Sequence, residues 1–418
     1  MIQGQFAVPS KINIVQLLNS IGESDRYIND HRDKYHYVIH CINEGAVLNR
    51  NTTDGYVNLS MLALREFLGS RYADRVVKEL LTWGIIECDG KAKEGVKCFG
   101  YRIHSDYISK TILIDVFKDE VMGRKLRLRK AQYQQKHKKD SRWKDLNKFG
   151  IRYREALEFI EARRIKDLTE QLQEVASIKA IYTTDLESIR KIVNQEFFLE
   201  QPDPLSRVYT NLSNLSSDLR QFLYHRKEKN NLVNLDIANS QPYLFSLLLM
   251  EHYRNQQVPA DVHKYIQLTA QGKFYEYLMD KLNVPLGERK CFKIKFFGKI
   301  FYCSSYYSRR TSEGRFFARE FPNVATIVEH YKEEGRKHYQ EKAFKYLSIT
   351  MQRQEAQIIL RTIGSSLEKK KIWHATIHDS VVCLEEHAEE VKALILEAFM
   401  RDVGIPPTVK AERLCEGR

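Results

Sequence analysis

Residues 374–384, His-Ala-Thr-Ile-His-Asp-Ser-Val-Val-Cys-Leu, constrain the fold of this chain more than any other stretch. Apolar β-formers lie on both sides of His378-Asp379-Ser380. The stretch therefore predicts two short strands meeting at a tight turn, with one carboxylate, Asp379, presented at its centre. Such a turn can aim a metal ligand. It can also be a polar hairpin tip in which the aspartate holds the turn through its own side chain. What separates the two is whether the rest of the chain supplies partners for Asp379.

Residues 232–242, Leu-Val-Asn-Leu-Asp-Ile-Ala-Asn-Ser-Gln-Pro, read as a buried strand ending in Asp236, followed by a turn into an apolar helix over 243–250. An Asp before Asn-Ser also suits a helix cap. Two carboxylates on adjacent strands, however, can hold two Mg²⁺ ions about 4 Å apart, one activating an attacking oxygen and the other a leaving group. Phosphate oxygens and water complete such a site, so Asp236 and Asp379 suffice as its metal ligands, for Mg²⁺ or for Mn²⁺. Between the acids, Arg289 and Lys293 stand four apart and share a helical face, which Phe297 and Phe301 continue at the same spacing. Two cations followed by two rings suit a nucleoside triphosphate, the cations taking phosphates and the rings lying near base and sugar. A basic amphipathic helix burying two phenylalanines has the same pattern.

At 418 residues, with 43% hydrophobic and 11% aromatic residues, the chain has room for two or three domains with real cores. Lysine plus arginine exceed aspartate plus glutamate by 67 to 54, and a sequence pI near 9.2 points to a polyanionic partner, nucleic acid before membrane. The cysteines are scattered without a Cys-x-x-Cys pair, which suggests neither a zinc site nor a disulfide framework and fits a reducing cytoplasm. No export signal and no apolar run near 18 residues is visible, so the expectation is a soluble, cytoplasmic protein with no membrane partner. Oligomeric state leaves no trace in the sequence.

The N-terminal third predicts a helix over 35–43, a helix over 58–67 stopping at Gly69, and a helix over 71–83. A strand at 84–88, a Gly-containing loop at 89–95 and a strand at 96–103 follow. Val76, Val77, Leu80 and Leu81 form the inward face of the third helix, leaving Arg71, Tyr72, Arg75 and Lys78 outward. Helix, turn, helix, hairpin resembles the winged-helix domains of plasmid replication initiators and transcription regulators, which put the second helix of the pair in the DNA major groove. Use of the same arrangement for protein contact is the alternative. Residues 124–144 then carry ten lysines or arginines against Asp140 alone, a local +9. Such a block reads as a solvated linker or, with Leu126, Leu128, Tyr133 and Trp143 interleaved, as a basic helix along a nucleic-acid backbone. Residues 153–175 predict a charged helix with Leu157, Ile160, Ile165, Leu168, Leu172 and Val175 as its stripe.

In order, the stretches around Asp236, Arg289–Phe301 and Asp379 resemble motifs A, B and C of family A polymerases, the group of bacterial DNA polymerase I and the single-subunit phage and mitochondrial RNA polymerases. Arg289, Lys293, Phe297 and Gly298 fit the motif B of the DNA enzymes, while Phe301 stands where that family has Tyr and Tyr302 where it has Gly. His378-Asp379-Ser380 is similar to the His-Asp-Ser of the RNA enzymes; the DNA enzymes carry His-Asp-Glu. Ser206-Arg207-Val208-Tyr209, Glu320-Phe321-Pro322-Asn323-Val324 and Met351-Gln352 resemble further family segments in family order, and the resemblance spans about residues 205–415.

This resemblance implies an α+β architecture. A winged-helix domain over 1–110 and a basic helical, thumb-like connector over 111–200 lead into a right-hand palm and fingers over 201–418 with an antiparallel sheet, the fingers at about 255–345. It implies that Asp236 and Asp379 bind the metals and that the Ile237 carbonyl adds a ligand. Arg289 and Lys293 would neutralise the triphosphate, Phe297 and Phe301 line the nucleotide, and Arg207, Gln352 and His378 contact primer and template. Gln241, five residues after Asp236, stands where the DNA enzymes carry the Glu that blocks a 2′-hydroxyl, so both Gln241 and Phe301 lean toward deoxynucleotides; a one-residue gap in the alignment would put Pro242 or Tyr243 there instead. The expected function is a two-metal DNA polymerase, of a phage or mobile element, brought to DNA by its winged helix, with DNA template and primer and dNTPs as partners. A primase or RNA polymerase using NTPs and a catalytically inactive replication initiator are the alternatives.

Overall fold

The computed structural model describes residues 5–48, 55–92, 98–117, 119–171, 173, 175–228, 231–339 and 343–414, which form a mostly helical fold with small antiparallel sheets. Two compact units share the chain: residues 1–199 with 210–226, and residues 200–209 with 227–418. Residues 1–199, which take in the expected 1–110 domain and nearly all of the expected 111–200 connector, fall in one unit. One physical reason is that the strand Thr111–Asp115 returns to pair antiparallel with Gln5–Pro9.

The first unit is built around the helix Asp25–Leu48, which outruns the expected 35–43. Its Tyr35, Val38, Ile39 and Ile42 recur at helical spacing and are buried. The expected helix over 58–67 starts only at Met61, because Ser60 caps it by accepting from the Ala63 amide at 3.2 Å. Asn58 instead pairs with Gly100 in a sheet. The helix ends at Leu68, and Gly69, at φ 91°, makes a turn that other residues rarely adopt. Ser70–Thr82 follows, burying Ala73, Val76, Val77 and Leu80, while Leu81 is only half-buried. Ile86–Cys88 pairs antiparallel with Gly100–Ile103, and Val57–Asn58 joins on the other side. Residues 93–97 of the expected loop and strand lie outside the described residues.

The basic block of 124–144 is ordered as the helices Glu120–His137 and Ser141–Leu146. Expected as one helix, 153–175 is split into Tyr153–Thr169 and the start of Val175–Val193, and the two helices pack on each other. Its stripe is only partly used: Ile160 is buried, whereas Ile165 and Val175 remain 53% and 55% exposed. Leu172 lies outside the described residues.

The second unit carries a four-stranded antiparallel sheet of β1 (Leu232–Ile237), β2 (His374–Ile377), β3 (Ser380–Leu384) and β4 (Val409–Arg413), in the order β2-β3-β1-β4. β3 is buried along its whole length. Ser240–His252 packs beside the sheet and is apolar nearly all round, as a central core helix must be. Phe245, Phe296, Phe301, Phe317 and Phe321 form an aromatic centre within this core. Phe321 is fully buried there, and the exposed Pro322 after it opens the helix Pro322–Tyr339, a position at which its missing N–H costs nothing. Six cysteines are free, and Cys415 lies outside the described residues. Among the described residues no helix is long and apolar enough to cross a membrane.

Candidate active site

The hairpin forms as its sequence predicts: β2 and β3 pair from Ile377↔Ser380 to His374↔Cys383, leaving His378 and Asp379 as the turn. His378 sits at φ 55°, a left-handed conformation uncommon outside glycine. Its ring meets that of Tyr209 edge-on at 6.0 Å. Among the described residues no hydrogen bond engages the Asp379 carboxylate, so it does not hold the turn by Asx bonding.

Asp236 lies in β1 directly opposite Ser380 of β3, one residue from Asp379. On its other side β4 brings Lys410 opposite Asp236. Asp236 is not a helix cap. The helix begins at Ser240 after Asn239, which takes the left-handed φ of 53° and makes no side-chain cap bond. The sheet register thus brings two acids to one end of an antiparallel strand pair. Ile237 is buried, and only its backbone is available for the expected ligand role.

The helix Arg289–Lys299 is joined to this strand end through Asn239. Arg289 donates to Glu276 at 2.5 Å and to Asn239 Oδ1 at 3.4 Å, and lies 5.6 Å from the Tyr275 ring. Lys293, one turn on, is exposed. Phe297 is largely buried and stacks on Tyr302 at 5.2 Å with the rings 19° apart.

Phe301 corrects the sequence reading. The helix stops at Lys299, with Ile300 leaving helical geometry at φ −123°, so Phe301 does not continue the Arg289–Phe297 face. It is fully buried against Phe245 at 5.3 Å and Phe317 at 6.0 Å and does not line a nucleotide site. The adjacent Tyr302 is the ring that reaches Gln241: its hydroxyl donates to Gln241 Oε1. Burial pushes the Tyr302 phenol up to about 12, so it is a protonated donor at neutral pH.

Arg207 is tied to a residue that sequence reasoning missed. It forks onto Glu355, Nε donating to Oε1 at 2.6 Å and Nη2 donating to Oε2. Glu355 is 1% exposed and Arg207 14%. Burial pushes the Glu355 carboxyl up to about 7, with Arg207 opposing and Asp379 adding to the rise. Burial lowers the Arg207 guanidinium, but Glu355 and, more weakly, Asp379 raise it further, to a net increase. Two oxygens matched to two N–H groups is the geometry of an ionised pair. Arg207, Glu355 and Asp379 therefore share one electrostatic site. A signal for Glu355 was present: an acid in register with Met351, Ile358 and Ile359 on an otherwise apolar helix face. Gln352 donates to Ser348 at 3.4 Å on the same helix.

In the first unit, Arg71 and Lys78 are exposed on Ser70–Thr82 as expected. Tyr72 and Arg75 are half-buried and engaged by neighbours. Tyr72 lies against His31 at 4.7 Å, and Arg75 is clamped by Glu79 at 2.7 Å and Glu23 at 2.6 Å over the Tyr27 ring. Glu79 stands four residues on along the same helix, whereas Glu23, 52 residues away, is a partner that periodicity alone does not reveal.

No protein-family model matches the sequence, and no curated protein matches it. Among solved structures the chain is similar to the POL domain of Pol1 from M. smegmatis in complex with DNA primer-template and dNTP. The match has a TM-score of 0.40 and 14% identity, and covers 59% of this chain and 54% of that one. The chain thus spans about half the length of that neighbour, at a distance too great to assign a family.

The donor set is suited to a hard cation. Among the described residues no group of three His, Cys, Asp or Glu gathers as a complete metal cage. Two carboxylates at a strand end fit Mg²⁺, which keeps several waters and shares phosphate oxygens rather than filling an all-protein cage.

Proposed function

We propose that the second unit is a template-directed nucleotidyltransferase, a DNA polymerase of the family A kind, with the β1–β4 sheet as palm and the helices between Ala260 and Tyr339 as fingers. The observation that carries this reading is the Asp236↔Ser380 register, which sets Asp236 beside Asp379, with Arg207 on one side and Arg289 tied to Asn239 on the other.

Asp236 and Asp379 would hold Mg²⁺ or Mn²⁺, with the Ile237 carbonyl beside them. When bound, such ions lower the pKa of an attacking hydroxyl and stabilise the leaving phosphate oxygens. Arg289 and the exposed Lys293 supply positive charge for a triphosphate, and charge complementarity of this kind does most of the work in phosphoryl transfer. Arg207, Gln352 and His378 form the primer side. Gln241, pinned by the Tyr302 hydroxyl, walls the sugar site and disfavours a 2′-hydroxyl; Phe297 backs Tyr302 by stacking.

The first unit carries a winged-helix module in this reading. The order of its helix pair and hairpin and the exposed Arg71 and Lys78 support DNA binding through Ser70–Thr82. The test is incorporation by purified protein with Mg²⁺, comparing dNTPs with NTPs on primed and unprimed templates. Primed dNTP incorporation is expected. Unprimed NTP joining would assign a primase or RNA polymerase, and no incorporation on any template would leave a DNA-binding initiator.

A further inference from the structure

The segment before the sheet is fastened to the helix that carries Glu355 at three points. Arg353 lies 3.8 Å from Asp203, Arg207 forks onto Glu355, and Arg361 donates to the Pro204 carbonyl at 3.0 Å. The helix is unusual here, because Lys345–Ala356 runs on into the π-helical Gln357–Gly364. Wide π turns are rare, are tolerated mostly at functional sites, and shift the phase of the residues that follow.

The outer two fasteners are exposed: both Arg353 and Asp203 are more than 40% exposed, and such pairs hold little. The middle one is buried. Stability does not account for it, because a buried ion pair is commonly no more stable than apolar residues of the same volume. Met351, Ile358 and Ile359 are buried on the same helical stretch as Glu355, where another apolar side chain would pack without desolvating a charge. The pair therefore calls for a functional reason.

Its geometry supplies one. The fork uses Nε and Nη2 of Arg207, and among the described residues Nη1 donates no hydrogen bond. The ring of His378, next to Asp379, lies 6.0 Å from that of Tyr209, two residues after Arg207, and Asp379 is within electrostatic range of both members of the pair. An arginine lacking its buried partner would have Asp379 as an available acid and would close onto it, cancelling the charge that makes Asp379 useful.

We propose that Glu355 is a positioning residue: it holds the Arg207 guanidinium beside Asp379 without letting the two pair, leaving Asp379 open and Nη1 free for the sugar–phosphate of a primer terminus. This rests on the nucleotidyltransferase reading. Arg207 is the group that touches substrate, and Glu355 acts through it.

The test is a cycle of Glu355→Gln, Arg207→Gln and the double variant in the full-length protein, with Glu355→Asp as the conservative change. Two quantities are read: affinity for a fluorescent primer-template by anisotropy in EDTA, and the rate of single-nucleotide incorporation across a Mg²⁺ titration. Glu355→Gln is expected to slow incorporation about tenfold or more, as small misplacements at a reacting centre do, and to move the Mg²⁺ midpoint upward. Glu355→Asp should recover part of both. The double variant, which leaves no unpaired buried charge, should fold and bind no more weakly than Arg207→Gln alone, because the two side chains act as a unit. Independent, multiplying losses would overturn the proposal, as would a Glu355→Gln protein within about twofold of wild type in rate, midpoint and affinity. If wild type incorporates nothing, the polymerase reading fails by itself. The EDTA affinities then still decide: coupled losses retain Glu355 as the holder of a nucleic-acid-binding Arg207, and uncoupled losses or no binding at all remove it.

Discussion

Gln241 and Tyr302 form a contact between residues 61 apart in sequence, joining the first turn of Ser240–His252 to the chain just past Arg289–Lys299. A hydrogen bond from the part-buried Tyr302 hydroxyl restrains the Gln241 side chain, as a wall of the proposed sugar site requires. Replacing Gln241 by Gly should lower discrimination of dNTP over NTP by about tenfold or more, as removal of a steric group from a substrate pocket does. Tyr302→Phe should produce part of the same loss, since it frees Gln241 without removing it. Ratios of kcat/KM for matched dNTP and NTP check this, and unchanged selectivity in both variants would move the sugar wall elsewhere. Gln241 was legible in the sequence through its distance from Asp236. Tyr302 was not, because a regular helical period points to Phe301; the helix ends two residues earlier, and no periodicity signals that ending.

At the scale of elements, the hairpin and both strand-end acids were readable because alternation and turn chemistry are local. Glu355 as the partner of Arg207 and Glu23 as a partner of Arg75 were not, because both are acids distant in sequence, and an amphipathic pattern shows which face is inward without showing what a charged residue will reach. The Asp25–Leu48 helix carries a further consequence of burial. Its His36 is buried, with Nδ1 lacking a hydrogen-bond partner among the described residues, and desolvation pulls its pKa down to about 4, with Asp33 opposing and Arg32 assisting. His31 and His40 on the same helix are lowered too, chiefly by burial. A depressed histidine favours the native state when neutral, so its contribution is intact above the ordinary value of 6.5 and is lost as pH falls toward 4. The shift corresponds to about 3 kcal/mol. Denaturant midpoints followed at pH 7 and pH 4.5 should show this acid loss reduced in His36→Leu by about half or more; an identical loss in the variant would place the acid sensitivity in other groups.

Over the whole molecule, composition foretold a basic, multi-part chain, and the division into two units bears on where function resides. Every residue of the candidate site, from Arg207 and Asp236 to Tyr302, Glu355 and Asp379, belongs to the unit of residues 200–209 and 227–418. The boundary itself was hidden from the sequence. Residues 210–226 return to the first unit after 200–209 have left it, in part through the antiparallel pairing of Leu223–His225 with Phe149–Ile151, and only long-range pairing reveals such a crossing. Chemistry held wholly in one unit should be lost by one isosteric change there, without loss of the nucleic-acid binding that the proposed function assigns to basic surfaces elsewhere in the chain. The most direct measurement is single-turnover dNTP incorporation on a primed template by wild type and by Asp379→Asn, with primer-template affinity recorded on the same samples. Wild type should incorporate, and Asp379→Asn should fall by on the order of 10³-fold or more while binding DNA within about threefold of wild type. An Asp379→Asn protein that incorporates at the wild-type rate would contradict the assignment of Asp379, and with it the site.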